Sequence, residues 1–248
     1  TFNNILKFPN LSILLTGGHT QIYFIKKPSD YKLLGETLDD AVGESFDKVA
    51  KLLGLSYPGG PEIEKFAQNG NFNAYDLPHP LKNKKNMNFS FSGIKTAVNL
   101  IVKNQKKITQ KFKEDMAASF QNKIIEIIIN KIERTIKMLK NKNINIADIS
   151  IVGGVAANKA LRNSLLNNDE INKYNIVYPP IEICGDNAAM IALVGLQKYK
   201  HKVKPDHLFN FKANPRLSII ESGSLWNIGY LNQSQTPGHG MTKLKKKL

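Results

Sequence analysis

Three glycine-bearing turns and one acidic cluster hold the side chains and backbone of this chain that could do chemistry. Leu15-Thr16-Gly17-Gly18-His19-Thr20-Gln21 sits between two apolar, strand-like runs. Glycines there would let phosphate oxygens approach backbone N–H groups, with Thr16 and Thr20 adding hydroxyls. A plain hairpin turn has the same composition. In Ile151-Val152-Gly153-Gly154-Val155-Ala156-Ala157-Asn158 an apolar run meets two glycines and then a helical pattern. Such a junction offers helix N-terminal amides to an anion and a flat backbone surface to a base or ribose. A glycine pair serving only helix packing explains it as well. Tyr57-Pro58-Gly59-Gly60-Pro61 is stiff on both sides and open in the middle, so it is either backbone beside a ligand or a tight connection.

The acidic cluster is Asp39-Asp40-Ala41-Val42-Gly43-Glu44-Ser45-Phe46-Asp47-Lys48. On a helix Asp40, Glu44 and Asp47 share a face, and like charges that close favour a partner: ribose hydroxyls, a lysine or a metal. A solvated helix face is the alternative. Asp186, in Cys184-Gly185-Asp186-Asn187, stands at the mouth of an apolar helix, where it serves as an N-cap. As a metal ligand it would need histidines from elsewhere, and the five in the chain (His19, His79, His201, His207, His239) include no pair spaced i and i+4. The single cysteine, Cys184, excludes a disulfide framework and a cysteine-cluster zinc site and fits a reducing cytosol. It reads as a small buried thiol rather than a nucleophile.

The elements that must position these groups alternate between strand and helix. Leu11–Leu15, Gln21–Ile25, Tyr31–Leu34, Ile149–Val152 and Ile176–Tyr178 read as strands. Thr37 to Asp40 supply cap-type residues for a helix ended by Gly54, with Asp40 and Glu44 near its positive end. The Pro-Gly-Gly-Pro stretch is expected to be irregular, with a helix following over Glu62–Asn69. Asn71–Asn88 reads as a long exposed excursion. Further helices are expected from Gly93 through Val102, over Asp115–Lys140, Ala157–Leu166 and Asp186–Tyr199. This is an α/β pattern whose sites belong at strand C-termini.

At 248 residues the chain is long enough for one large or two modest domains. No apolar run reaches the roughly 18 residues of a membrane span, and the stretch Ile124–Ile129 is interrupted by Glu126. No signal peptide is visible, and Thr1 rather than Met begins the sequence. The net charge of +15 invites a nucleic-acid partner. Lysine makes up 32 of the 35 basic residues, and heavy use of Lys, Asn and Ile is also what AT-rich codons produce. Either way, such a surface attracts phosphate backbones in a salt-sensitive manner.

Taken in order, LTGGHTQ, GETLDDAVGESFDKVAKLLGLSYPGGP, FSFSGIKTAV, IVGGVAANKALR and CGDNAAMIA resemble the TsaD family of tRNA threonylcarbamoyladenosine transferases, formerly called glycoproteases. The resemblance runs from about Leu11 to about Arg216. It implies a two-lobe fold of the actin, sugar-kinase and Hsp70 type, lacking its N-terminal half-lobe. The implied division is 1–35 as the remainder of a first lobe, 36–185 as a second lobe, 186–216 as a closing helix and 217–248 as a poorly ordered tail. It further implies transfer of threonylcarbamoyl from threonylcarbamoyl-AMP to the exocyclic amine of the adenosine beside the anticodon, in tRNAs reading codons that start with A. Leu14, Leu15, Thr16, Gly17 and Gly18 would line the acyl and phosphate end of the donor. Asp47, Gly60 and Glu64 would hold its nucleoside side, and Asn158 would reach it from the second lobe. Asp186 would ligate a catalytic iron or zinc. Implied partners are tRNA, a paralogous TsaB-like subunit and a TsaE-like ATPase, in the cytoplasm and away from membranes. No catalytic side chain is assigned, because a mixed anhydride already carries a good leaving group.

Family members carry an HxxxH-type histidine pair upstream of LTGGHTQ, and this sequence has none. The expectation is therefore a truncated copy, catalytically impaired by itself. A metal-dependent glycoprotease and a non-catalytic binding module are the competing readings.

Overall fold

The computed structural model describes residues 6–28, 30–200 and 202. The expectations for 203–248, which include the tail and the end of the closing helix, lie outside the described residues. Residues 1–187 and 188–248 form two compact units.

The first unit is built on a five-stranded mixed sheet in the order β3-β2-β1-β4-β5. β1 (Asn10–Leu15), β2 (Thr20–Lys27) and β3 (Asp30–Glu36) form an antiparallel meander. β4 (Asp148–Val152) runs parallel to β1, and β5 (Asn175–Val177) runs parallel to β4. The expected α/β class is what the chain adopts. The sheet crosses the boundary expected after residue 35, because β1 pairs directly with β4, more than a hundred residues away. The hairpin and the strand before Gly153 thus share one layer, and their C-terminal ends open on the same edge.

Strand alternation explains the burial. Leu11, Ile13 and Leu15 are fully buried on one face of β1, against the helices. Polar groups on β1 and β4 are covered too: Ser150 Oγ donates to Asn10 Oδ1 at 2.9 Å, and Asn10 Nδ2 donates to the Asp148 carbonyl at 3.1 Å.

Helices α1 (Val42–Leu52), α2 (Gly59–Ala67), α3 (Ser92–Lys103), α4 (Gln110–Asn141) and α5 (Lys159–Leu166) complete the first unit. The long α4 is the spine of the helical layer, and Phe120 in its first half packs edge-on against Phe46 of α1, ring centroids 5.1 Å apart. It starts five residues before the expected Asp115 because Thr109 caps it, its side chain accepting the Phe112 N–H at 3.2 Å; such a cap is worth about 1 kcal/mol. α2 also starts early, at Gly59, so Pro61 is helical after all. In the first turn a missing N–H leaves no bond unmade.

Two further expectations change. Thr37 to Asp40 do not cap α1. Ala41 occupies that position, with the Glu44 carboxylate accepting its N–H at 3.3 Å, while Asp39 turns away to α3. Its carboxylate accepts the N–H groups of Phe91 and Ser92 and the hydroxyls of Ser90 and Ser92. The Asn71–Asn88 excursion is pinned, with Leu77 and Met87 buried and Tyr75 edge-on to Phe112.

The described helix of the second unit is α6 (Ala188–Lys200), two residues shorter at its start than expected; its apolar Ile191, Leu193 and Leu196 are exposed. Among the described residues no helix is long and apolar enough to cross a membrane.

Candidate functional site

Three backbone segments meet at the edge where β1 and β4 end. The first is the β1–β2 turn, closed by a hydrogen bond from Thr16 N–H to the His19 carbonyl at 2.8 Å. The Thr16 hydroxyl accepts the N–H groups of Gly18 at 3.2 Å and His19 at 2.8 Å, so this hydroxyl is spent inside the turn. The second is the start of α1, where Gly43 N–H donates to the Thr16 carbonyl at 3.2 Å. A side chain on Gly43 would come within 2.8 Å of Gly17 Cα. The third is the short 3-10 turn Gly154–Ala157 after β4. Gly153, at φ +98°, passes so close to β1 that a Cβ would lie 2.3 Å from the Leu15 carbonyl oxygen.

Close packing at Gly43 and Gly153 leaves the next glycines bare. A Cβ on Gly17, Gly18 or Gly154 would meet nothing within 4 Å. The edge is therefore a strip of accessible backbone, with Leu15 contributing only main chain because its side chain is fully buried, and with Leu14 half-buried beside it. Exposed amides at the C-terminal ends of parallel strands suit a phosphate or an adenylate.

Asp47, Gly60, Glu64 and Asn158 are joined in one chain of contacts. Asp47 Oδ1 accepts the Gly59 N–H at 2.7 Å, which caps α2 from α1 and sets Gly59 against Asp47 Cα. Gly60 follows with open space around it. One turn further along α2, about 7.5 Å by helical rise from Gly59, Glu64 Oε1 accepts the Lys159 N–H at 2.6 Å. The neighbouring Asn158 is buried, its Oδ1 accepting the Leu161 N–H at 2.8 Å and its Nδ2 donating to Gln121 Oε1 at 2.9 Å. The α5 N-terminus is thus capped by Asn158 and Glu64, rather than open as the strand-Gly-Gly-helix pattern suggests. The bare amides of this junction belong to the 3-10 turn instead.

The like charges on α1 find a lysine: Lys48 Nζ lies 2.7 Å from Asp40 and 2.8 Å from Glu44. Its hydrogen bond holds the Glu44 carboxyl below the usual range, against a smaller opposing effect of burial. Asp47 stays out of that pair.

Sequence reasoning missed Gln121 and the role of Arg162, and it offered the Thr20 hydroxyl to a ligand. Thr20 Oγ1 accepts the Val42 N–H at 2.8 Å and ties β2 to the start of α1. Arg162 donates to the Ala156 carbonyl at 2.6 Å and lies over the Tyr178 ring at 4.6 Å, steadying the 3-10 turn from behind. Nothing in the type or spacing of residues in α5 signals these contacts. Burial pushes the Cys184 thiol up, with the Arg162 guanidinium opposing only in part, which is the reverse of what a nucleophile needs.

Asp186 stands apart. It is exposed, and its carboxylate makes no hydrogen bond or ion pair among the described residues. No group of three His, Cys, Asp or Glu side chains there is arranged to hold a metal. A lone exposed carboxylate does not fit an iron or zinc site, which takes four ligands or three and an open position. A cavity of about 350 Å³ lined by His79, Asn130, Glu133 and Ser164 lies along α4 and shares no residue with the turns.

The fold and this edge define an α/β protein with a backbone-lined ligand strip at the ends of β1 and β4. The family model described as TsaD, tRNA N6-adenosine threonylcarbamoyltransferase, matches residues 1–193, and the chain belongs to that family. A tRNA N6-adenosine threonylcarbamoyltransferase of Pelagibacter ubique is 49% identical over 201 residues, covering 81% of this chain and 56% of the relative. One from Thermosipho africanus is 45% identical over 220 residues, covering 86% and 62%. The chain therefore spans about three-fifths of the length of these curated relatives. Among solved structures, the activator of the 2-hydroxyisocaproyl-CoA dehydratase from Clostridium difficile with bound ADPNP aligns at a TM-score of 0.44 and 18% identity, covering 82% of this chain and 66% of that one.

Proposed function

We propose that this chain supplies the adenylate-binding edge of a tRNA threonylcarbamoyltransferase, which passes threonylcarbamoyl from threonylcarbamoyl-AMP to N6 of the adenosine beside the anticodon. The observation that carries this reading is the convergence of the Gly17-Gly18 and Gly153-Gly154 turns on one sheet edge, with Asp47 and Gly60 linked to it through α1 and α2. Bare amides at Gly17 and Gly154 hold the phosphate and carbonyl oxygens of the donor, where negative charge builds up as the amine attacks. The bond from N6 to the carbamoyl carbon forms while the carbon–oxygen bond to phosphate breaks, AMP departs with the bonding electrons, and the proton released by N6 passes to the departing phosphate or to water. No side-chain nucleophile is required, and fixing the amine against the carbonyl supplies much of the rate.

An iron or zinc ion would polarise that carbonyl. Asp186 alone does not hold one, so no step here is routed through a metal. A TsaB-like subunit, a TsaE-like ATPase and a cytoplasmic setting belong to the same reading. A transfer assay with labelled threonylcarbamoyl-AMP and unmodified tRNA, run with the chain and those two partners, tests it. Label should reach tRNA with the wild-type chain and fall at least tenfold with Gly17→Val or Gly154→Val. Equal transfer by those variants would remove the edge from the reaction.

A further inference from the structure

The loop 81–86 is held in an unusual way. Lys131, in the second half of α4, is fully buried, and its ammonium has no carboxylate partner among the described residues. Instead Nζ donates to two backbone carbonyls, those of Leu81 and Asn86, each at 3.2 Å. One helical turn on, Arg134 donates to the Lys84 carbonyl at 2.6 Å. Leu81 takes a left-handed φ of 55°, which a branched apolar residue adopts only at some cost. A connection that merely had to join two helices would need neither a desolvated ammonium nor a strained leucine.

The consequence is a six-residue loop with three of its carbonyl oxygens turned toward α4. These are the acceptors that would otherwise compete for its own lysines. Lys82, Lys84 and Lys85 are exposed, and none pairs with a carboxylate among the described residues. Lys48, Lys111, Lys123, Lys140 and Lys173 all do. The acidic residues on the same stretch of α4 are committed elsewhere, Glu126 to Lys123 and Glu133 to Asn168.

We infer that the loop 81–86 is a contact surface for an RNA phosphate backbone, presented by Lys131 and Arg134. This rests on the tRNA substrate proposed above. Exposed lysines interleaved with Asn83 and Asn86 suit phosphate and sugar oxygens, which accept from both side-chain types. No large apolar side chain of the loop is exposed, so it lacks what insertion into a bilayer interface needs.

The test is fluorescence anisotropy of labelled, unmodified tRNA with the full chain over a salt series, alongside AMP binding by calorimetry. The triple variant Lys82→Ala, Lys84→Ala, Lys85→Ala removes three charges and leaves the carbonyl clamp in place. Its tRNA affinity should fall by about tenfold or more at ~0.1 M salt, with the log–log salt slope shallower by roughly one per lysine. Wild-type tRNA affinity and slope in the triple variant would overturn the inference. Lys131→Met, which takes no charge from the surface, should bind tRNA more weakly with the slope unchanged. Unaltered affinity there would overturn the presenting role of α4. Displacement by poly-glutamate or phosphatidylserine vesicles, as effective as by RNA at equal charge, would overturn the assignment to RNA. A wild-type chain that binds tRNA through these lysines yet binds no AMP would count against the proposed function and leave the loop's role standing.

Discussion

The strand-end turns and the loop 81–86 both display backbone, and they do it with opposite polarity. At the turns, close packing at Gly43 and Gly153 seats the main chain so that Gly17, Gly18 and Gly154 stand bare of neighbours, with the Gly18 N–H already given to the Thr16 hydroxyl. In the loop, two α4 cations draw carbonyls inward and leave ammonium groups outside. The turns are fixed by the absence of side chains, the loop by the presence of two long ones. A surface for a small anion needs backbone donors at short range, whereas a surface for a polyanion needs charge with reach. The molecule supplies each by a different device.

The sharpest way to break the first half of this comparison is Gly153→Ala. Its Cβ would stand 2.3 Å from the Leu15 carbonyl at a backbone φ of +98°, so a loss of about 3 kcal/mol is expected in urea denaturation. Gly59→Ala, 2.6 Å from Asp47 Cα, should cost about 2 kcal/mol by the same measurement. Next comes Asp39→Ala, which strips the carboxylate from the start of α3 and should cost about 1 kcal/mol near neutral pH. Burial alone would raise the Asp39 pKa, but bonds from Ser90, Phe91 and Ser92 outweigh it and hold the folded value below the ordinary 3.8. The group is charged in both states above 3.8, so its contribution is complete there. It is lost as pH falls through the lowered folded value. The gap between wild type and Asp39→Ala should therefore close in melts run below that range, and a gap that widened in acid would reverse the sign assigned here. The smallest stability effects belong to Gly154→Ala and Gly60→Ala, which meet open space and should stay within about 0.5 kcal/mol of wild type. The two glycine classes then separate, one governing folding and the other nucleotide binding.

Much of this was legible in the residues themselves. The apolar run Leu11–Leu15, the paired glycines and the strand before Gly153 announce an α/β sheet with turns at one edge. What escaped were contacts made across the chain. Asp39 precedes one helix in sequence and caps another, since its bonds to Ser90 and Ser92 span more than fifty residues. Asp47 and Glu64 read as ligand contacts, and nothing in the sequence signals that each carboxylate also accepts a helix N-terminal amide. Lysines were uninformative as well. Nothing in the sequence marks Lys131 of α4 as buried beneath Leu81 and Asn86, and lysines 111 and 113 conceal a helix start set by Thr109. Periodicity reports which face is covered and says nothing of which distant backbone a polar side chain will reach.

The turn edge, as proposed, receives an adenylate. Isothermal titration of AMP into the wild-type chain and into Gly154→Val tests it most directly, with thermal melts run in parallel. Saturable binding by the wild type, none by the variant, and matching melting temperatures are expected. Equal binding by the two proteins, or none by the wild type, would contradict it.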